Sequence, residues 1–135
     1  MKKKHFDKVA YISIREPWAW LILEGHKDVE NRVWSWDYRG PLLIHAGKGT
    51  PGYKDAVEWV ESEWEINMPD KKDLDLGCFV SMVDLVDCVE EHDSEWYDDE
   101  YYGLVVANPR RIKPIPFRGH PNRQSVKDIT IEFVK

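Results

Sequence analysis

Lys27, Glu30 and Arg32 follow a helix stop at Gly25 in the string GHKDVENRVW. An amine, a carboxylate and a guanidinium at this spacing can hold a phosphate, read a base edge or pass a proton. If residues 28 to 34 form a strand, alternation sends Glu30 and Arg32 to one face and Val29 and Asn31 to the other. Should the charged face look inward, leaving either group unpaired would cost several kcal/mol, so they must pair with each other or with Lys27. Two readings follow from the same residues. One is a structural ion-pair network. The other is a cleft in which Lys27 supplies a positive charge or a shifted amine, Glu30 accepts protons or base edges, and Arg32 orients Glu30 or takes a phosphate.

Other side chains could join such a cleft. Trp18 and Trp20, two apart on a helix, face different directions, so at least one can edge the cleft as a stacking platform. Trp34 and Trp36 around a turn invite the same reading, and Tyr38 and Arg39 look like turn residues bordering the cleft. His45, in the apolar strand LLIHA, reads as a hydrogen-bonded interior histidine rather than a catalytic base. Asp84 interrupts an apolar strand face and, if buried, needs a partner such as Lys27 or Arg32. Nothing in the sequence places the Ser81 hydroxyl near Lys27.

These groups need elements to position them. VAYISI (residues 9–14) alternates as a short strand, and EPWAWLILEG reads as a helix of about two turns with Pro17 at its start and Gly25 at its end. That helix is apolar on every side from Trp18 to Leu23, so it must be plugged into something, as at the end of a barrel or sheet. A polar strand, a YRGP turn and LLIHA follow. A longer helix from Thr50 and Pro51 presents Tyr53, Ala56, Val57, Val60 and Trp64 on one face. CFVSMVDLVDCVE is too long for a regular strand and predicts a bulge. YGLVVANP and ITIEFV supply the remaining strands. The expected architecture is α+β: a small mixed β-barrel of five or six strands flanked by two main helices, with residues 1–8 as a basic N-terminal tail and 9–135 as one domain.

Composition bounds the function. The chain has 135 residues and a formal net charge of −6, which disfavours a duplex binder that works by general phosphate neutralisation. The charges are segregated: Asp84 to Glu100 carries nine acids and no Lys or Arg, whereas Pro109 to Arg123 carries Arg110, Arg111, Lys113, Arg118 and Arg123 and no acid. The latter reads as a solvated loop or as a basic rim beside the cleft, and KKKHFDK as a frayed tail or a basic arm. Cys78 and Cys88 are too far apart along one strand to bridge without a fold-back. The histidines show no ligand spacing, so neither a metal nor a cofactor is expected. No apolar run approaches the length of a membrane span, and a cytoplasmic protein with no membrane partner is the expectation.

The strings PWAWLILEGHKDVENRVW and YRGPLLIHA resemble the ASCH family. Its Gly-x-Lys-x-x-Glu-x-Arg motif stands here as Gly25, Lys27, Glu30 and Arg32, and VDLVDCVE and YYGLVVANPRRIKPIPFRG are similar to its bacterial and phage branch. The resemblance, over roughly residues 9 to 120, implies a PUA-like β-barrel and an RNA-oriented cleft beside the helix that carries Trp18 and Trp20. It departs after Gly119, where HPNRQSV replaces the usual Gly-Leu-Trp. It also departs from the amidohydrolase branch that deacetylates N4-acetylcytidine, because Glu30 stands where that branch has a threonine nucleophile, and a carboxylate cannot replace a hydroxyl that a lysine would deprotonate. The leading expectation is therefore a nucleic-acid-binding module for RNA, single-stranded nucleic acid or a modified nucleotide, with Trp18, Lys27, Glu30, Arg32, Tyr38, Arg39, Arg110 and Arg111 as binding residues. The alternative is a metal-independent hydrolase of RNA or a modified nucleoside, amidohydrolase- or ribonuclease-like, with Lys27 and Glu30 as its acid/base pair. A protein-interaction domain would use the same residues structurally.

Overall fold

Alternating apolar residues in six segments build a mixed sheet, and the apolar helix after the first segment covers part of it. The computed structural model describes residues 2–120 and 124–134. Its elements are β1 (Lys2–Ile14), α1 (Trp18–Leu23), β2 (Val29–Arg32), β3 (Gly40–Ala46), α2 (Tyr53–Trp64), β4 (Cys78–Val89), β5 (Tyr102–Pro116) and β6 (Gln124–Phe133). The strand order is β2-β5-β4-β3-β1-β6, and β6 pairs again with β5 through Ile112 and Phe133, so five strands close a hydrogen-bonded ring with β2 attached to β5. Six strands and two main helices meet the α+β expectation.

Among the described residues only β1 and β3 run parallel, with Ile12 opposite Ile44 and Ile14 opposite Ala46. A parallel pair requires a crossing connection. Here that connection, residues 15–39, holds α1, β2 and the tryptophan turn, so the ionisable motif sits on the segment that the topology forces across the sheet. The core divides between the two sides of the strands: Ile12, Ile14, Ile22, Leu42 and Ile44 pack in one cluster, and Tyr11, Leu43, Phe79, Met82 and Ile131 in the other. Helix α1 contributes Ala19, Leu21 and Ile22, all buried, which explains its apolar run. In α2 only Val60 is fully buried, while Tyr53, Ala56, Val57 and Trp64 are half-buried along the expected face.

Three expectations are corrected. The first strand begins at Lys2 rather than at residue 9, because β6 supplies a partner backbone for residues 2–8: Lys4 faces Ile131 and Phe6 faces Ile129. The side chains of Lys2, Lys3 and Lys4 remain exposed on that paired backbone. The basic stretch from Pro109 to Pro116 is not a loop but the second half of β5, which continues past Asn108 at φ 54°. Proline and basic residues weaken the strand signal there, yet β4 pairs with the segment through Ser81–Arg111 and Phe79–Ile115. Asp84 meets Arg110 at 2.8 Å, not Lys27 or Arg32, because Met82 lies opposite Arg110 in the β4–β5 register. The irregularity expected in the long strand is present as register shifts along β4–β5. Cys78 and Cys88 are free, at opposite ends of β4. Among the described residues no helix is long and apolar enough to cross a membrane.

Truncating a buried side chain of α1 should loosen the covering of the sheet. Leu21, fully buried, is expected to cost about 3 kcal/mol on substitution by alanine, whereas Val33→Ala, at a position 77% exposed, should change stability by less than about 0.5 kcal/mol. Urea unfolding of the two variants checks this contrast.

Candidate functional site

The site starts where α1 stops. Gly25 adopts φ +81°, a left-handed turn that glycine makes without steric cost. The next two amides, of His26 and Lys27, both donate to the Leu21 carbonyl, at 2.9 and 3.0 Å. This fold-back carries Lys27 beneath the helix, where it is 6% exposed. Its ammonium lies 3.2 Å from Glu30 Oε1 and donates to the Val29 carbonyl. The other oxygen, Glu30 Oε2, accepts from Arg32 Nε and Nη2 at 3.2 and 3.0 Å. Arg32 Nη2 also donates to the Ser13 carbonyl at 2.8 Å, which ties β2 to the end of β1. As alternation requires, Val29 takes the opposite face and is fully buried. The carboxylate is thus shared between two cations.

Ser13 starts a second chain of contacts. His45 Nε2 lies 2.6 Å from the Phe117 carbonyl, which can only accept, so Nε2 carries the proton and Nδ1 accepts from the Ser13 hydroxyl at 3.1 Å. The His120 amide donates to the same hydroxyl oxygen at 3.0 Å. Between these contacts Gly119 has no room for a side chain, since a Cβ there would lie 2.2 Å from both His45 Nδ1 and Ser13 Oγ. The segment 117–120 is therefore latched over the ends of β1 and β3.

Two clefts meet at this point and share Trp18 and Glu30. The first, about 840 Å³, is lined by Arg15, Arg32, Lys48 and Arg118 beside the Ser13–His45 latch, and among the described residues Glu30 is its one lining carboxylate. Among the described residues Arg15, Lys48 and Arg118 have no ion pair. The second, about 790 Å³, has Lys27, Trp59 and Trp96 on its walls and an acidic rim from the 90–99 loop. Trp18 meets Trp59 edge to face at 6.2 Å, and Trp64 stacks on Trp96 at 4.2 Å. Trp18 thus stands where a basic and an acidic compartment join.

The structure brings Trp18, Lys27, Glu30 and Arg32 together and leaves the other expected residues elsewhere. Tyr38 donates to the Pro41 carbonyl and stacks obliquely near Trp36, while Arg39 holds the Trp36 and Tyr38 carbonyls and meets Asp87 at 3.5 Å. Neither lines either cleft, because the turn folds back on β3 instead of leaning over β2. Arg110 and Arg111 are drawn away by β5, the former to Asp84 and the latter to Glu24. Arg123 lies outside the described residues. His45 is the interior, hydrogen-bonded residue expected. Among the described residues no cluster of three or more His, Cys, Asp or Glu could hold a metal ion.

Sequence reasoning missed Arg15, Lys48 and Glu16. Arg15 and Lys48 follow the adjacent ends of the parallel strands, Ile14 beside Ala46, and only that pairing makes them neighbours across the cleft. Glu16 is 4% exposed and accepts from the Trp20 amide at 2.7 Å, securing the first turn of α1. Burial, with Asp75 nearby, pushes its carboxyl up to about 7. A glutamate directly before Pro-Trp, at a helix start, was the available signal.

The ASCH domain family model matches residues 12–116, more than half of the chain, a range that holds Ser13, Lys27, Glu30, Arg32 and His45 but not the 117–120 segment. Among curated proteins the chain is similar to human and mouse activating signal cointegrator 1, each 28% identical over 127 residues. The match covers 86% of this chain but 22% of either relative, so the chain spans under a quarter of their length.

Two predictions follow from the contacts. Glu30→Gln leaves the Lys27 ammonium buried without its counter-charge and should lower stability by about 3 kcal/mol, while replacing Lys27, Glu30 and Arg32 together with Met, Leu and Met should recover most of that loss; denaturant titration of both variants checks it. Glu16 has a folded pKa above its ordinary 4.5, so the native state holds the proton more tightly. Its contribution is full below about pH 4.5 and is lost as pH rises through 7, by up to about 3 kcal/mol. Wild type should lose this stability across that window and Glu16→Gln should not, as thermal melts at a series of pH values will show.

Proposed function

The chain belongs to the ASCH domain family, and we propose that it is a nucleic-acid-binding module that takes single-stranded RNA or a modified nucleotide in the joined clefts. We read the hydrogen-bonded ring as the PUA-like β-barrel that the resemblance implies. The observation that carries the proposal is the cluster of Arg15, Lys48 and Arg118, without ion pairs among the described residues, on one side of Trp18. Three cations left without carboxylates along one cleft attract phosphates. Trp18, half-buried between the compartments, offers a face to an unstacked base. The acidic rim beyond it repels further phosphates, which favours a short stretch of backbone and disfavours a duplex lying across the clefts.

Binding accounts for the network better than hydrolysis does. Both Glu30 oxygens already accept from cations, and the Lys27 ammonium already donates to Glu30 and to a carbonyl. A general base needs a free lone pair near substrate. In this reading Glu30 holds Lys27 and Arg32 in place while the cations around it meet the ligand.

With a short oligonucleotide, fluorescence anisotropy should show tighter binding to single-stranded RNA than to duplex DNA, with a shallow dependence on salt. Arg15→Ala/Lys48→Ala/Arg118→Ala should lower the salt slope for RNA by about 2, at roughly 0.7 per phosphate contact, and Trp18→Ala should weaken binding by about 1–3 kcal/mol. Equal affinity for both nucleic acids with a steep salt slope would contradict the cleft. Incubation with N4-acetylcytidine and a panel of modified nucleosides should give no product; turnover that folded Lys27→Ala and Glu30→Ala variants both lose would replace the binding reading with the hydrolase.

A further inference from the structure

Two basic segments from opposite ends of the chain meet far from the clefts. Lys2, Lys3 and Lys4 of β1 line one groove of about 700 Å³ with Arg110 and Arg111 of β5. The closure of the ring makes them neighbours: Phe133 of β6 lies opposite Lys2 on one side and Ile112 on the other. The paired β1–β6 backbone holds the lysines at fixed positions, unlike those of a frayed arm.

The charges of this groove are only partly balanced. Arg110 is committed to Asp84 at 2.8 Å, and Lys3 meets Glu132 at 3.5 Å. Glu24, the one carboxylate lining the groove among the described residues, lies 3.8 Å from Arg111, with both side chains substantially exposed, so that contact is weak. Among the described residues Lys2 and Lys4 have no ion pair, and Lys4 sits 5.0 Å from the Phe6 ring centre. Cations from two strands, beside the apolar rings of Phe6 and Phe133 that also line the groove, suit an extended polyanion that can meet several of them in turn.

We propose that this groove is a second contact for the sugar-phosphate backbone of a single-stranded nucleic acid whose base occupies the clefts. The inference rests on the nucleic-acid-binding reading. Ser13 borders the cleft and Lys4 the groove, both on β1; at about 3.3 Å per residue the two lie roughly 30 Å apart along the strand. Only a long ligand reaches both.

Length and salt dependence test this directly. Wild type, the groove variant Lys2→Ala/Lys4→Ala/Arg111→Ala and the cleft variant Arg15→Ala/Lys48→Ala/Arg118→Ala would be titrated with oligoribonucleotides of about 4 and about 20 nucleotides across a salt series. The groove variant should bind the long RNA at least about tenfold more weakly, with a salt slope lower by about 2, and the short RNA unchanged. Its melting curve should match wild type, because the altered side chains are exposed. An unchanged slope and affinity for long RNA would overturn the proposal, as would an equal loss for short and long RNA. If the groove variant weakens long RNA while the cleft variant binds both RNAs as wild type does, the cleft reading fails and the groove contact stands. If wild type binds neither RNA but sediments with phosphatidylserine vesicles in a groove-dependent manner, the surface meets a membrane and the proposal is overturned.

Discussion

A lysine ammonium beneath an apolar helix has to be neutralised, and the crossing segment of this protein is arranged around that requirement. Lys27 is carried inward by two amides that share the Leu21 carbonyl. Once it is there, Glu30 must face it, and β2 must take the register that turns Glu30 and Arg32 to one side and Val29 to the other. Removing Glu30 leaves the Lys27 ammonium buried without a counter-charge, which is why such a network is costly to break and yet contributes little net stability. Its consequence is positional: Arg32 reaches the Ser13 carbonyl and fixes the edge of the basic cleft to the sheet.

A second set of contacts fixes the opposite wall. His45 receives the Ser13 hydroxyl on one nitrogen and holds the Phe117 carbonyl with the other, so one buried imidazole joins β1, β3 and the segment after β5. Gly119 is required there because the space a side chain would occupy is filled by that hydrogen bond. The two networks share residue Ser13, through its carbonyl and through its hydroxyl. Arg118 and Arg32 consequently face one cleft although 86 positions of chain separate 32 from 118.

Opposite charges are kept in separate compartments. The acidic 90–99 loop rims one side of Trp18, the cations of Arg15, Lys48 and Arg118 line the other, and the terminal lysines and Arg110–Arg111 lie at the far end of β1. A net charge of −6 therefore describes no local surface. A long strand of nucleic acid would meet positive potential only at particular places along its path.

Much of the fold was legible because local periodicity carries it. The apolar helix from Trp18, the alternation of Val29 to Arg32, the strand LLIHA and the irregularity of β4 all follow from which side chains neighbours along the chain must bury. The same logic required Lys27, Glu30 and Arg32 to pair. Sequence could not decide what depends on which strands lie side by side. The pairing of β1 with β6 turned a lysine-rich tail into a strand, the β4–β5 register gave Asp84 to Arg110, and the parallel β1–β3 pair placed Arg15 beside Lys48. A hydrophobic pattern specifies that a strand face is buried, not which backbone lies beside it, because hydrogen-bonding edges are chemically alike along every strand. The choice of partner rests on closing the ring around two packed clusters, and that is settled only when the whole chain has folded.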